Sequence, residues 1–507
     1  MADGDRLGLL ALLFPDGILS SRTALLCVFL TCAYVVVTVT YALVLDPLSK
    51  FPGPKLCALS RIPYWLETIK GTDVQWMYNL HRKYGPEVRF GPVDVSFTTA
   101  QAWKEINGTE KGRPDNEKAP DFSQQPANGV PSLLNNTYQD HSRVRRLFSP
   151  AFSERALRKQ EPLFRKYADM LVSKLGELGG DGTPVEMTRL FNFAAFDTMA
   201  ELCFGNPLGL LENNEFSPWL KAIFDSLKII PYTSIVAYCP SLRALLALFE
   251  PKWLTEYRMV LYKHTADRVD QRLKEGSEKP DIWSLVVAAQ ESDSKLSLLE
   301  MHSNAELFMI AGSETTGTLL SGAMYYLLRN PDKMERLLSE IRHGFTDAKD
   351  MSFDTLANLK YLNACLKEAL RVYPPIPVGS PRVIPEGGGQ IITGRWIPPG
   401  TRVSVHHYST YHSPANFKDP DSFVPERWLG DPLYADDALE AHQPFSWGPR
   451  NCLGQSMAMH EMRLMLAKLL FSFDFELCDE NQKWTDQRVY SLWIKNPLMC
   501  RIKAVGK

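Results

Sequence analysis

The sequence predicts a mainly α-helical protein with small β-sheets and one N-terminal transmembrane helix. Apolar residues recur at three- and four-residue spacing over residues 154–370, which is typical of amphipathic helices. Residues 84–99 (YGPEVRFGPVDVSFTT) alternate apolar and polar side chains around a Gly-Pro turn, which predicts a hairpin. Residues 23–45 carry no charge, and three glycines at 387–389 precede the strand-like QIITGRWI. We therefore expect a large helical body with small sheets at both ends.

Residues 23–45 (TALLCVFLTCAYVVVTVTYALVL) are predicted to form the transmembrane anchor. As a helix at ~1.5 Å per residue, this run reaches about 34 Å, which is enough to cross the core of a bilayer. The alternatives are a buried globular helix and a cleaved signal peptide. Soluble helices seldom lack charge for so long, and the run is too long and begins too late for a signal peptide.

The anchor divides the chain into four predicted segments. Residues 1–22 form a short luminal segment, residues 23–45 the anchor, residues 46–55 a proline-rich hinge that includes FPGPK, and residues 56–507 the main domain. Three cations follow the anchor by residue 61, whereas two precede it. This weak positive-inside bias predicts a cytosolic main domain.

The composition is that of an ordinary folded protein and argues against a general nucleic-acid binder. The hydrophobic fraction is 45% and the charged fraction 22%. A formal net charge of −2 gives no global basic field to attract nucleic acid. The nine cysteines are odd in number and include no Cys-x-x-Cys pair, so they predict neither a zinc site nor a disulfide framework, and they favour a reducing compartment.

A long central helix is predicted from about Ser297 to Leu328. Ser297 and Glu300 form an S-x-x-E capping box, worth roughly 1 kcal/mol to the helix start. The centre of the helix is AGSETT, residues 311–316, in which Gly312 costs about 1 kcal/mol of helix stability. Either Gly312 lets another helix approach closely, or the helix opens there for a ligand.

A charged cluster is predicted in the C-terminal third. Glu368 and Arg371 are i,i+3 neighbours on one helix face, and FVPERW supplies Arg427 further along the chain. A surface ion pair of this kind contributes under ~1 kcal/mol. The other interpretation is an internal staple, because guanidinium groups bind carboxylates bidentately and one glutamate can lie between two arginines.

The stretch FSWGPRNCLG has the features of a metal-binding thiolate loop. Cys452 precedes a helix-like run, where the helix dipole and free backbone N–H groups lower a thiol pKa. Gly448 permits a tight turn, Gly454 leaves room beside a flat ligand, and Arg450 supplies a cation for a carboxylate on that ligand. A lone thiolate with open space beside it fits an axial heme ligand better than a zinc cage.

Four motifs resemble those of the cytochrome P450 family and occur in the family's order. FSWGPRNCLG resembles the heme loop F-x-x-G-x-R-x-C-x-G, with all five positions matching: Phe445, Gly448, Arg450, Cys452 and Gly454. AGSETT is similar to the oxygen-activating motif, and Glu368-Ala-Leu-Arg371 to E-x-x-R. PERW is similar to P-E-R-F, with Trp428 in place of phenylalanine. The likeness extends from the anchor to the C-terminus.

The resemblance implies the cytochrome P450 fold, bound heme b and roles for the motif residues. Cys452 would be the proximal thiolate ligand of the iron, which favours O–O cleavage. Glu314 and Thr315 would relay protons to dioxygen, and Gly312 would widen the helix beside them. The resemblance also assigns a structural triad to Glu368, Arg371 and Arg427, with a role in folding and heme retention.

Further heme-binding and pocket residues follow from the resemblance. The heme carboxylates would be held by His141, which replaces the family's tryptophan, and by Arg145, Arg382 and Arg450; each arginine alone could instead be solvated. The substrate segments map to residues 133–136, 308–311, 376–380 and 492–493. The pocket residues named from them are Phe308, Ala311, Val378 and Trp493, although Phe308 and Trp493 could be ordinary core residues. The apolar lining predicts a neutral, hydrophobic substrate.

The family implies a single-pass monooxygenase of the endoplasmic reticulum membrane with a cytosolic catalytic domain. Electrons would come from NADPH through a flavoprotein reductase, and the basic residues 140–166 could dock that partner or simply be solvated. The sequence looks like filamentous-fungal enzymes that hydroxylate or epoxidise secondary metabolites. The alternatives are an isomerase or dehydratase of the same fold that needs no reductase, and a non-catalytic heme-binding sensor.

Overall fold

The computed structural model describes residues 21–110, 112–122, 126–239, 252–275, 281–288, 295–481 and 483–506. The predicted luminal segment 1–22 lies almost wholly outside these residues. Helices predominate and the strands are short, so the predicted fold class is confirmed.

The described helices are numbered here in chain order. They are α1 Ser21–Thr40, α2 Lys55–Leu59, α3 Ile62–Lys70, α4 Asp73–Tyr84, α5 Ala100–Asn107, α6 Tyr138–Phe148, α7 Glu154–Gly179, α8 Met187–Phe204, α9 Leu210–Asn213, α10 Pro218–Leu227, α11 Ile230–Tyr238, α12 Lys252–Lys274, α13 Ile282–Ala288, α14 Leu298–Arg329, α15 Pro331–Gly344, α16 Phe353–Ala357, α17 Lys360–Val372, α18 His407–Tyr411 and α19 Gln455–Ser472.

The described strands form four small sheets. The strands are β1 Glu87–Gly91, β2 Asp94–Phe97, β3 Glu117–Lys118, β4 Val185–Glu186, β5 Arg382–Val383, β6 Gln390–Ile392, β7 Arg395–Ile397, β8 Arg402–Val405, β9 Phe473–Leu477, β10 Arg488–Tyr490, β11 Leu492–Ile494 and β12 Met499–Ala504. Their orders are β1-β2-β8-β5-β3, β4-β12-β9, β6-β7 and β10-β11. The hairpin predicted over 84–99 is β1-β2, and QIITGRWI forms β6-β7.

The N-terminal helix lies outside the body of the protein. The apolar run Thr23–Leu45 has a mean hydropathy of 2.3, and only 6% of its most apolar window is buried. It is the one helix among the described residues that is long and apolar enough to span a membrane. Arg89 of β1 fixes its end, because Nη1 donates to Ala42 O at 3.0 Å and Nη2 contacts Asp46 at 2.6 Å. The following hinge contains a 3₁₀ turn, Pro47–Lys50.

The central helix α14 is the axis of the helical body. The Ser297 and Glu300 capping box forms as predicted. The helix packs closely on α8, where an added Cβ at Gly312 would lie 2.7 Å from Met199 Sδ. The helix is α-helical along its whole length. The structure therefore supports the close approach of a second helix as the local reason for this glycine.

Candidate active site

The loop before α19 is a tight turn that presents Cys452. Gly448 has φ +80°, and a Cβ there would lie 2.0 Å from Asn107 O, so both backbone conformation and space demand glycine. Asn451 N donates to Gly448 O at 3.0 Å, and Cys452 N donates to Phe445 O at 2.8 Å. These bonds fold the loop back on itself and place Cys452 three residues before the first residue of α19.

The Cys452 side chain lies deep in the protein yet keeps accessible surface. Burial raises the pKa of its thiol, while the backbone N–H of Gly454 and the charge of Arg145 act in the opposite direction. Space also remains at Gly454, where an added Cβ would meet nothing closer than Met457 Cε at 3.6 Å.

Two residues of α6 approach this loop. Arg145 binds Asn451 twice, with Nη1 2.6 Å from the backbone oxygen and Nη2 2.7 Å from Oδ1. His141, one turn earlier, is buried. Burial, followed by the charges of Arg450 and Arg145, lowers the pKa of His141 to about 3. The imidazole is therefore neutral at neutral pH and keeps one N–H to donate.

Three cations from separate elements converge beside the loop: Arg382 is buried, and Arg450 and Lys118 are half-buried. Arg382 of β5 is 2% exposed, which rules out a solvated arginine, and its Nε donates to Asn107 Oδ1 at 3.2 Å. Burial and the neighbouring Arg450 lower its pKa to about 10. Arg450 Nη2 is buried and has no hydrogen-bond partner among the described residues. Lys118, opposite Arg382 in the sheet, has a pKa far below its usual range for the same reasons.

This donor set fits heme. Desolvated cations that repel one another are stabilised by anions, and the nearby carboxylates Asp115 and Glu117 offset only part of the burial of Arg450. Two heme carboxylates would supply the missing negative charge. The accessible thiol of Cys452 supplies the soft ligand that heme iron requires. Lys118 was not among the residues singled out from the sequence, and nothing in its local spacing identifies it.

The motif of α14 divides into an accessible side and a buried side. Ala311 is exposed in the middle of this helix, and half-buried Thr315 donates to Ala311 O at 2.7 Å. Glu314 is buried, and its Oε1 contacts the Lys495 ammonium group. Burial raises the pKa of Glu314, and Lys495 opposes that rise. Lys495 was also missed from the sequence, where it follows a short apolar strand without any motif.

Glu368 lies at the centre of a buried charged cluster. Arg371 donates to it from Nε at 3.0 Å and Nη2 at 2.7 Å, and Arg427 Nε donates at 3.2 Å. All three side chains are fully buried, so the surface ion pair interpretation is wrong. Trp428 Nε1 donates to Glu368 Oε2 at 2.8 Å. A phenylalanine has no such donor, which gives the departure from P-E-R-F a physical consequence.

The predicted pocket residues differ in how open they are. Phe308 packs edge-on against Phe148, with ring centroids 4.8 Å apart, and is 8% exposed. Trp493 is 6% exposed and Val378 is 7% exposed. In contrast, Ala311 is exposed. The open surface therefore lies at Ala311, whereas the pocket roles of Phe308, Val378 and Trp493 stay predictions.

The comparisons with known proteins agree with this geometry. The Cytochrome P450 family model matches residues 52–500. Cytochrome P450 monooxygenase efuB of Hormonema carpetanum is 43% identical over 480 residues, which cover 94% of this chain and 95% of the relative. Cytochrome P450 monooxygenase FUM2 of Gibberella moniliformis is 42% identical, with 90% and 98% covered. Averantin hydroxylase of Dothistroma septosporum is 40% identical, with 92% and 88% covered.

The relatives are named as monooxygenases or a hydroxylase, and none of these names supports the isomerase, dehydratase or sensor alternatives. The family resemblance inferred from the motifs is confirmed over almost the whole main domain. Family membership implies heme iron with a thiolate ligand, a redox partner and a hydrophobic substrate. The chain belongs to the cytochrome P450 family and is a monooxygenase.

Proposed function

We propose that this chain is a membrane-anchored, heme-thiolate enzyme that inserts one oxygen atom from dioxygen into a neutral, hydrophobic metabolite of a fungal secondary pathway. The observation that carries the proposal is the accessible thiol of Cys452, in a loop beside buried Arg382 and half-buried Arg450. Heme bound through a thiolate supplies the activation of dioxygen.

Cys452 is proposed to hold the iron as a thiolate. Two contacts favour its ionised form, the N–H of Gly454 and the charge of Arg145, and both oppose the effect of burial. Arg145 is itself fixed by its two bonds to Asn451, so its charge stays close to the sulfur. The cations Arg382 and Arg450 are proposed to bind the heme carboxylates, with neutral His141 as a hydrogen-bond donor.

Thr315 and Glu314 are proposed to deliver protons. The Thr315 hydroxyl lies on the accessible side of α14 and is oriented by its bond to Ala311 O at 2.7 Å. A hydroxyl can accept one proton while it donates another, so it can pass protons without changing charge. Buried Glu314 is the adjacent group that can store a proton.

The substrate is proposed to be uncharged and held mainly by apolar contact. The candidate lining residues Phe308, Ala311, Val378 and Trp493 carry no charged side chain. Burial of apolar surface contributes about 25 cal/mol per Å², whereas an unpaired buried charge costs several kcal/mol. Among the relatives, one is named averantin hydroxylase, and hydroxylation is the reaction type that we favour here.

Electrons are proposed to come from NADPH through a flavoprotein reductase at the endoplasmic reticulum membrane. Residues Arg146, Arg155 and Lys159 are exposed on α6 and α7 and could meet an acidic partner. Arg145 of α6 connects this basic surface to the Cys452 loop. The apolar helix Thr23–Leu45 would anchor the enzyme, with the main domain in the cytosol.

The test combines a ligand variant with an isotope experiment. Cys452→Ser should lose the red-shifted Soret band that thiolate-ligated ferrous heme gives with carbon monoxide, whereas the control Cys239→Ser should keep it. Microsomes with wild-type enzyme and reductase, offered a metabolite panel under ¹⁸O₂, should give a product with one ¹⁸O atom. A persistent band in Cys452→Ser would reject the ligand assignment, and ¹⁸O found only in water would reject oxygen insertion.

A further inference from the structure

A buried ion pair joins the central helix to the C-terminal part of the chain. The Lys495 ammonium group contacts Glu314 Oε1 and donates to Thr318 Oγ1 at 2.8 Å. The Lys495 side chain is 3% exposed and that of Glu314 is 1% exposed. Oε1 is also within 3.5 Å of the Thr318 hydroxyl. The second oxygen, Oε2, is buried and has no hydrogen-bond partner among the described residues.

The backbone that carries Lys495 is fixed on both sides. Two residues earlier, Trp493 stacks on Tyr373 with ring centroids 4.9 Å apart, and its Nε1 donates to Pro374 O at 2.8 Å. One residue later, Asn496 O accepts from Trp484 Nε1 at 2.8 Å. The ammonium group therefore reaches Glu314 from an ordered segment, not from a mobile terminus.

Lys495 is the main group that favours the ionised form of Glu314. Burial is the larger influence and raises the pKa of Glu314, and the charge of Lys495 is the largest influence that opposes this rise. Two other titratable groups face this part of α14. Burial raises the pKa of Tyr373 far above its usual range and that of Glu461, on α19 beside Thr316, to about 8. Because both are mainly neutral at neutral pH, neither supplies the compensating charge.

We propose that Lys495 is a positioning residue for proton delivery: its ammonium group keeps Glu314 ionised and holds Oε1, so that Oε2 is the oxygen that accepts and releases a proton. The inference rests on the proposed role of Glu314 and Thr315. A relay group must reach both protonation states near the working pH. A carboxyl group buried at this depth without its cation would remain protonated, so it could not release a proton and accept another.

An ion pair that only stabilises the packing of α14 against the C-terminal segment would use the same contacts. Loss of such a stabilising ion pair would change only the stability of the protein. Loss of a positioning residue would also change the protonation of Glu314 and the pH dependence of product formed per NADPH. The experiment therefore needs a readout of the carboxyl group itself.

The direct readout is the infrared C=O stretch of a protonated carboxylic acid in the resting holoenzyme, measured across pH. Lys495→Met should show this band at neutral pH and lose it as pH rises. Neutral Glu461 contributes to this C=O stretch in every variant, so wild type, Lys495→Arg and the double variant Glu314→Gln/Lys495→Met should lack only the additional band that Lys495→Met shows. Lys503→Met, at an exposed lysine on β12, is the matched control and should resemble wild type.

The coupling of NADPH oxidation to product formation gives the second readout. Product formed per NADPH should fall at least about tenfold in Lys495→Met at neutral pH, with recovery in Lys495→Arg. Folding is monitored by the carbon monoxide band. If Lys495→Met fails to bind heme, the double variant should recover it, because its removal of Glu314 leaves no orphaned charge.

Three results would overturn the inference: no new carboxyl band in folded Lys495→Met, a band that survives Glu314→Gln, or a double variant that fails to fold. The infrared measurement needs no turnover. An enzyme that is inactive towards every metabolite would therefore count against the proposed function and leave this test valid.

Discussion

The substitution Glu368→Gln tests whether the buried charged cluster determines heme retention. Glu368 accepts hydrogen bonds from two arginines, from Trp428 Nε1 and from Val424 N at 2.8 Å. Glutamine keeps the shape of the side chain but removes the charge and turns an amide N–H₂ towards donors. Arg427 would keep its other carboxylate partner, Asp437, whereas the other partners of Arg371 that the structure describes are backbone carbonyls.

The expected loss of stability in Glu368→Gln follows from the burial of the cluster. Removing one partner of a buried ion pair costs about 3–5 kcal/mol, because the remaining charge is uncompensated. The entropy of unfolding is roughly 2.1 cal/mol/K per residue, so a main domain of about 450 residues has roughly 0.9 kcal/mol/K. The expected fall in Tm is therefore about 3–5 °C.

The effect should reach the heme loop through Trp428. Its ring lies 4.7 Å from that of His442, three residues before Phe445 at the start of the loop. We expect less heme per protein as well as a lower Tm. Heme content is measured from the carbon monoxide spectrum and Tm by calorimetry, with exposed Glu335→Gln on α15 as the control. This account of the cluster would be refuted if Glu368→Gln kept the heme content of wild type and its Tm lay within about one degree of the wild-type Tm.

Two further substitutions test the central helix and its neighbour α19. Thr315→Ala should bind heme and substrate but lower product formation by about 10²–10⁴-fold, with NADPH diverted to peroxide or water; Thr315→Ser should recover coupling, and unchanged coupling in the alanine variant would exclude a relay. Glu461→Gln should raise Tm relative to wild type, increasingly from about pH 4.5 to pH 8. The folded carboxyl has a raised pKa of about 8, so the native state binds the extra proton and loses stability as pH rises, up to roughly 5 kcal/mol. A pH-independent difference would contradict that assignment.

The local elements were predictable because their signals are local. The capping box at Ser297, the β1-β2 hairpin and the turn at Gly448 each depend on residues a few positions apart. The Cys452 loop belongs with them, because the backbone hydrogen bonds within it join residues at most seven positions apart. Such patterns encode backbone geometry directly, and the chain order of the four motifs then identified the family.

The interpretation of Gly312 needed a tertiary contact. From the sequence, close packing and an opened helix were both consistent with a glycine inside a helix. The choice depends on Met199 of α8, more than a hundred residues earlier, whose sulfur would lie 2.7 Å from an added Cβ. Likewise, the surface interpretation of Glu368 and Arg371 could be excluded only once Arg427 and Trp428 had been placed against them.

The ion pair between Glu314 and Lys495 shows why a motif gives only part of a site. The two residues are separated by 181 positions, and their contact depends on how a short hairpin is placed. That placement requires the left-handed turn at Ser491, with φ +64°, and the stacking of Trp493 on Tyr373. None of these features has a spacing that marks Lys495 as charged and buried. The motif supplies the acid, whereas the tertiary fold supplies the charge that we propose makes the acid usable.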